Sequence, residues 1–203
     1  MKTYLLSFLI FFTASALAQP ALKPADKHPN DGVYLSFDEL RENNPSVKRP
    51  QLFRSMYDTV FTNLQWSRTP SLYYIDKDNQ KVSLKRESIV MLAENGTAYI
   101  QQNGVFHKAS LFGPVIVFTE IYPKVNEPMA VVVTDVKASS RDRLLDTENE
   151  LVMDYTLENF LKILQRDEEL YNEFNAIKSI KQKRKMVYRY IEKYNARNPF
   201  RKP

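Results

Sequence analysis

Between Ser88 and Tyr122, three of the chain's four glycines fall at the breaks between runs of β-branched and aromatic residues. Ile89 to Ala93, Thr97 to Gln101, Val105 to Phe112 and Val115 to Tyr122 read as strands. Glu94-Asn95-Gly96, Asn103-Gly104 and Gly113-Pro114 separate them as turns. Asn-Gly suits a two-residue hairpin loop because both residues tolerate positive φ. The stretch predicts an antiparallel meander that serves as a scaffold, and the rest of the chain must pack on it.

The N-terminus has the marks of a signal peptide over residues 1–18. Lys2 is a short basic start, Leu5 to Phe12 an apolar core, and Ala16-Leu17-Ala18 a small-residue cleavage site before Gln19. A membrane anchor is the competing reading, but the apolar run is shorter than the roughly 20 residues a spanning helix needs. Export, to a periplasm or beyond, is therefore the expected localisation. Cysteine is absent. That excludes a lipidated junction, disulfides, thiolate metal sites and a cysteine nucleophile. Without Lys2, the 29 Lys+Arg of the full chain fall to 28, against 24 Asp+Glu. A domain with no disulfide needs a packed core, and 12 Phe and 12 Tyr can supply one.

Residues 19–30, with Pro20, Pro24 and Pro29, predict an extended lead-in. Residues 31–155 form the expected β-rich body. It opens with a short strand, Val33 to Leu35, and a helix from Phe37 to Asn43 stopped before Pro45. Ser36 and Glu39 have capping-box spacing: the hydroxyl caps an early amide and the carboxylate reaches back. This dense segment could be a binding motif, but its turn and cap chemistry favours a strand-to-helix corner.

The segment Gly32-Val33-Tyr34-Leu35-Ser36-Phe37-Asp38-Glu39-Leu40, with Asn43-Asn44-Pro45-Ser46, resembles the opening motif of a family of uncharacterised exported proteins from Bacteroidota. The resemblance returns at Asp167-Glu168-Glu169-Leu170-Tyr171 and at Tyr194-Asn195-Ala196-Arg197-Asn198-Pro199. Where this chain has Ile89 to Leu92, the family often has Trp-Gly-Tyr-like residues. The resemblance implies an exported protein with a β-rich middle and a charged helical tail; it supplies no activity or catalytic residues to carry over.

Gln51 to Trp66 reads as extended. Trp66, the only tryptophan, could offer a stacking face beside Arg68, but an anchor on the sheet is the expected role. Ser71 to Ile75 predicts a strand and Asp76 to Gln80 a turn. Asp76, Asp78, Gln80 and Glu87 have calcium-loop spacing, yet the sixth position is Lys81 rather than the glycine such a loop needs for its bend. A polar hairpin turn is expected instead. Met129 to Thr134 predicts a buried strand, and Ala138 to Asp142 a connection. Leu144 to Asp146 and Glu150 to Met153 predict a small hairpin around Thr147-Glu148-Asn149. Asn95-Gly96-Thr97 would accept a glycan in a eukaryotic secretory pathway; here it reads as a turn.

Residues 156–203 predict helices packed on the same domain. Thr156 caps the first, with Leu157, Phe160, Leu161 and Leu164 on one face. Asp167 caps the second, which carries Glu168 and Glu169 in its first turn. Val187, Tyr190, Ile191 and Tyr194 form a further stripe, on a helix ending near Asn195. The whole chain is thus expected to be a single α+β domain.

Motifs for catalysis are missing. His28 lies in the lead-in and His107 in a strand. No His-Glu-x-x-His, Gly-x-Ser-x-Gly or phosphate-cradling glycine loop occurs. Two converging carboxylates of a glycosidase would leave no sequence signature, so a hydrolase stays open as a third reading. No cofactor and no metal is expected. Residues 157–203 carry twelve Lys/Arg against six Asp/Glu. Lys181, Lys183, Arg184, Lys185 and Arg189 are the candidate interaction surface. Its partner would be an anionic surface, lipid or polysaccharide, or an unknown envelope protein; export makes nucleic acid the poorer match. The bland alternative is a solvated helix face. The leading expectation is a non-enzymatic binding or envelope-assembly component.

Overall fold

The structure is a computed structural model that describes residues 28–48, 52–53, 72–122 and 139–200. Residues 1–18, Trp66 and the strand expected at Met129 to Thr134 lie outside the described residues, as does most of Gln51 to Trp66.

The chain opens with β1 (Gly32–Tyr34), α1 (Phe37–Arg41) and β2 (Val47–Lys48). Then come β3 (Leu52–Phe53), β4 (Leu72–Ile75) and β5 (Lys81–Leu84), and after a 3-10 turn at Arg86–Ser88 the meander begins. Its strands are β6 (Met91–Glu94), β7 (Thr97–Gln102), β8 (Val105–Leu111), β9 (Val115–Tyr122), β10 (Ser139–Asp146) and β11 (Leu151–Asp154). Helices α2 (Leu157–Leu164), α3 (Glu168–Asn175) and α4 (Ile180–Arg197) follow. The large sheet has the order β11-β10-β9-β8-β7-β6-β1-β2, and β3-β4-β5 form a second. The architecture is an antiparallel α+β fold.

The Asn-Gly pairs make the hairpins expected of them. Asn95 (φ 51°) with Gly96 (φ 71°), and Asn103 (φ 53°) with Gly104 (φ 77°), all take positive φ. Glu94 then faces Thr97, and Gln102 faces Val105, across two-residue loops. Between β8 and β9 the ladder steps from Ala109–Phe118 to Leu111–Val117, which leaves Ser110 as the extra residue of a bulge.

Alternation along the strands splits the core in two. Val115, Val117 and Leu144 face the helical tail and pack with Phe160, Phe174, Val187 and Ile191. Ile116, Phe118 and Leu145 face the other way and join Tyr34, Leu40, Met91 and Ile100. In the tail layer Phe174 meets Phe160 and Tyr190 edge-on, with centroids 5.4 and 4.8 Å apart.

The N-terminal corner forms with one change. The Ser36 hydroxyl accepts from the Glu39 amide, but the Glu39 carboxylate reaches past the cap to the Leu35 amide at 2.8 Å and to the Ser46 hydroxyl at 2.5 Å. The helix stops at Arg41, two residues before the expected Asn43, because Asn43 turns to φ 49°. There its side chain accepts from the buried Tyr34 hydroxyl at 2.8 Å and from the Asn30 amide at 2.9 Å. Gly32 (φ 154°) lies against Pro45 and the Val47 carbonyl, 2.5 Å from where a Cβ would stand.

One expectation is corrected. Residues 139–142 are not a connection but the first half of β10, paired with β9 from Ser139–Tyr122 onward. Their polar side chains hid a strand whose stability lies in the backbone ladder. The polar hairpin turn expected at Asp76 to Gln80 forms between β4 and β5, and the sixth to ninth positions of the calcium-like spacing are β5 itself. One Asp76 oxygen already accepts from the Asp78 and Gln80 amides. The basic run from Ile180 onward is continuous with the last apolar stripe, as one 18-residue helix ending at Arg197.

Candidate interaction surface on the last helix

Helix α4 starts at a Ser179 cap, whose hydroxyl accepts from the Gln182 amide at 3.3 Å. At 3.6 residues per turn, Val187, Tyr190, Ile191 and Tyr194 share one face, and all four are buried at 4% exposure or less. Asn195 extends that face. Its Oδ1 accepts from the Val115 amide at 2.9 Å, and its Nδ2 donates to the Val115 carbonyl at 2.8 Å. The side-chain amide thus replaces a strand partner at the start of β9. Gly113 makes room for it: a Cβ there would lie 2.6 Å from the Asn195 amide.

The helix's cations fall into two sets. Toward the C-terminus, Lys193 pairs with Glu173, and Arg197 with Asp167 at 3.0 Å and Glu169 at 2.7 Å. The Glu169 and Asp167 carboxylates hold the Arg197 guanidinium pKa above its ordinary value. Toward the N-terminus, Lys181, Arg184, Lys185 and Arg189 are exposed. Among the described residues none of these four forms an ion pair, although Arg184 lies in the field of Glu158. Lys181, Lys185 and Arg189 recur every four residues along one edge, with Arg184 and Tyr188 in the adjoining row. Lys183 does not belong with them. It sits four residues before Val187, half-buried, with its Nζ 5.7 Å from the Phe174 ring centroid and donating to Asn175 Oδ1 at 3.1 Å.

Two ionic groups escaped the sequence. Asp146, 1% exposed, receives both Nη atoms of Arg166, Nη1 at 2.9 Å and Nη2 at 2.5 Å. Burial pushes the Asp146 carboxyl up, but Arg166 and the Glu148 and Asn149 amides outweigh it and hold it below the usual range. On the face of the sheet away from the tail, Glu120 is 4% exposed. It accepts from the Tyr122 hydroxyl at 2.5 Å and Arg141 Nε at 3.2 Å, with Arg143 Nη1 3.5 Å away. Here too burial raises the pKa and the hydroxyl and guanidinium groups more than reverse it. His107 lies alongside, its pKa lowered by burial against the opposing pull of Glu120. Its Nδ1 accepts from the Ile121 amide at 3.3 Å. The signal for Glu120 was the inward parity it shares with Ile116 and Phe118, opposite Arg141 of a segment read as a connection.

No protein-family model matches the chain, and comparison with curated proteins and with solved structures gives no match. Among the described residues no helix is long and apolar enough to cross a membrane.

Proposed function

We propose that the protein is an exported, non-enzymatic binding component of the cell envelope, and that its partner meets the N-terminal half of α4. One observation supports this reading above others. The ionisable groups of the interior are committed to partners within the chain, whereas Lys181, Arg184, Lys185 and Arg189 are held out to solvent with no ion pair among the described residues. Holding four cations on one rigid helix costs self-repulsion that an anionic partner relieves.

A hydrolase gains nothing from the arginine-paired carboxylates Glu120 and Asp146. A glycosidase acid needs a raised pKa in order to carry a proton near neutrality. Glu120 and Asp146 are both lowered, so both are anions clamped by arginine.

The test is capture from envelope extract by the purified chain and by Lys181→Gln with Lys185→Gln. The wild-type chain should retain a partner that the variant loses, increasingly so at low salt. Equal capture by both would remove α4 from the reading. Mass spectrometry of the exported form should give an N-terminus at Gln19; retention of Met1 would remove the export claim.

A further inference from the structure

We infer that the exposed edge of α4 docks on an anionic lipid surface, with Ile180 entering the headgroup layer and the surrounding cations resting on lipid phosphates. The inference rests on the binding reading above and names its partner. Ile180, the first residue of the helix, is 63% exposed, the highest value among the large hydrophobic residues described. An isoleucine that gains nothing from the core stands in the middle of the charge: Lys178 and Lys181 flank it, and Arg184 and Lys185 follow within about one turn.

Tyr188, 37% exposed, continues the edge, its hydroxyl donating to the Ser110 carbonyl at 3.0 Å. That bond, made possible by the β8 bulge, fixes the edge to the sheet so that the cations face one way. Glu192 is the one carboxylate farther along the same edge, beyond Arg189. An apolar residue ringed by long cationic side chains suits an interface, because lysine and arginine stems can lie along the acyl boundary while their charges stay at the phosphates. A soluble acidic polymer would use the cations and leave Ile180 in water. The apolar residue therefore favours the bilayer.

The experiment is co-sedimentation of the full chain with vesicles of phosphatidylglycerol and phosphatidylcholine, beside pure phosphatidylcholine vesicles and soluble alginate. Binding to the anionic vesicles alone is expected, with loss near 0.5 M salt. Lys181→Gln with Lys185→Gln should weaken it about 25-fold, at about fivefold per cation. Ile180→Ala should weaken it about tenfold with the salt dependence intact. Lys162→Gln, on α2, should leave it unchanged, and thermal unfolding should show each variant folded. Anionic-vesicle binding that ignores Ile180→Ala overturns the inference, because charge alone then accounts for it. Capture by alginate but not by vesicles overturns it too, while leaving the binding reading in place. Failure of vesicles, alginate and envelope extract alike would overturn both.

Discussion

Asn195 ties the tail to the sheet through both backbone groups of Val115. Replacing it by alanine leaves the amide and the carbonyl of Val115 buried without partners. Each orphaned group costs about 1–3 kcal/mol, so Asn195→Ala should lower unfolding free energy by about 2–5 kcal/mol in urea titrations. Gly113→Ala should be costly beside Asn195 and cheaper in the Asn195→Ala background, and a double-mutant cycle measures that difference. Asp146 contributes to the acid limb of stability, alongside Glu120 and Asp167. Its pKa is lowered in the folded state, so the stability it supplies is present above the unfolded value of about 3.9 and drains away as pH falls through the folded value. Asp146→Asn should cost about 1.5–3 kcal/mol at neutral pH, since Arg166 loses its buried carboxylate but keeps Glu148, and should reduce the acid limb. His107, also lowered, opens a separate and earlier loss as pH falls below about 6.5. Urea midpoints from pH 2 to 8 for the wild type, Asp146→Asn and His107→Gln resolve the two windows.

At the scale of elements, Ile191→Asp places a charge at 0% exposure in the tail's core and should cost several kcal/mol, enough to unfold the domain. The basic residues should divide sharply. Lys183→Ala loses the Phe174 and Asn175 partners and should cost about 1 kcal/mol, whereas Lys181→Ala should stay within about 0.5 kcal/mol. Thermal melts of the two variants test the split. The sequence alone treats both lysines as one run. Periodicity would have separated them, since Lys183 precedes Val187 by four. The hairpins were legible because Asn-Gly has few backbone options, and the caps at Thr156 and Asp167 because each sits just before an apolar stripe; the Ser179 cap was not read. Nor was the first half of β10. Ser139, Ser140, Arg141 and Asp142 have no alternation to read, and their strand exists through pairing with Tyr122 to Thr119. The Glu120 cluster stayed hidden with it, since two of its members lie on that strand.

Across the whole molecule, polar side chains tie together segments that are far apart in the sequence. Asp167 caps α3 through the Leu170 amide, and its other oxygen receives Arg197 and Asn198 from the far end of α4. In the N-terminal corner, Arg41 donates to the Thr147 carbonyl at 2.7 Å, and Thr147 in turn donates to the Pro114 carbonyl. These contacts fasten distant parts of one chain to each other. The fastening has a direction in time. Val115 and Asn195 are 80 residues apart, so a chain made from its N-terminus exposes the open start of β9 for as long as it takes to synthesise everything between them. At about 5–20 residues per second that interval lasts several seconds. Until the tail arrives, the sheet presents Val115, Val117 and Leu144 as a bare apolar face that can stick to another copy. A chain that stops shortly before Asn195 leaves the start of β9 without its partner, and such a truncated chain should aggregate more readily than the full one.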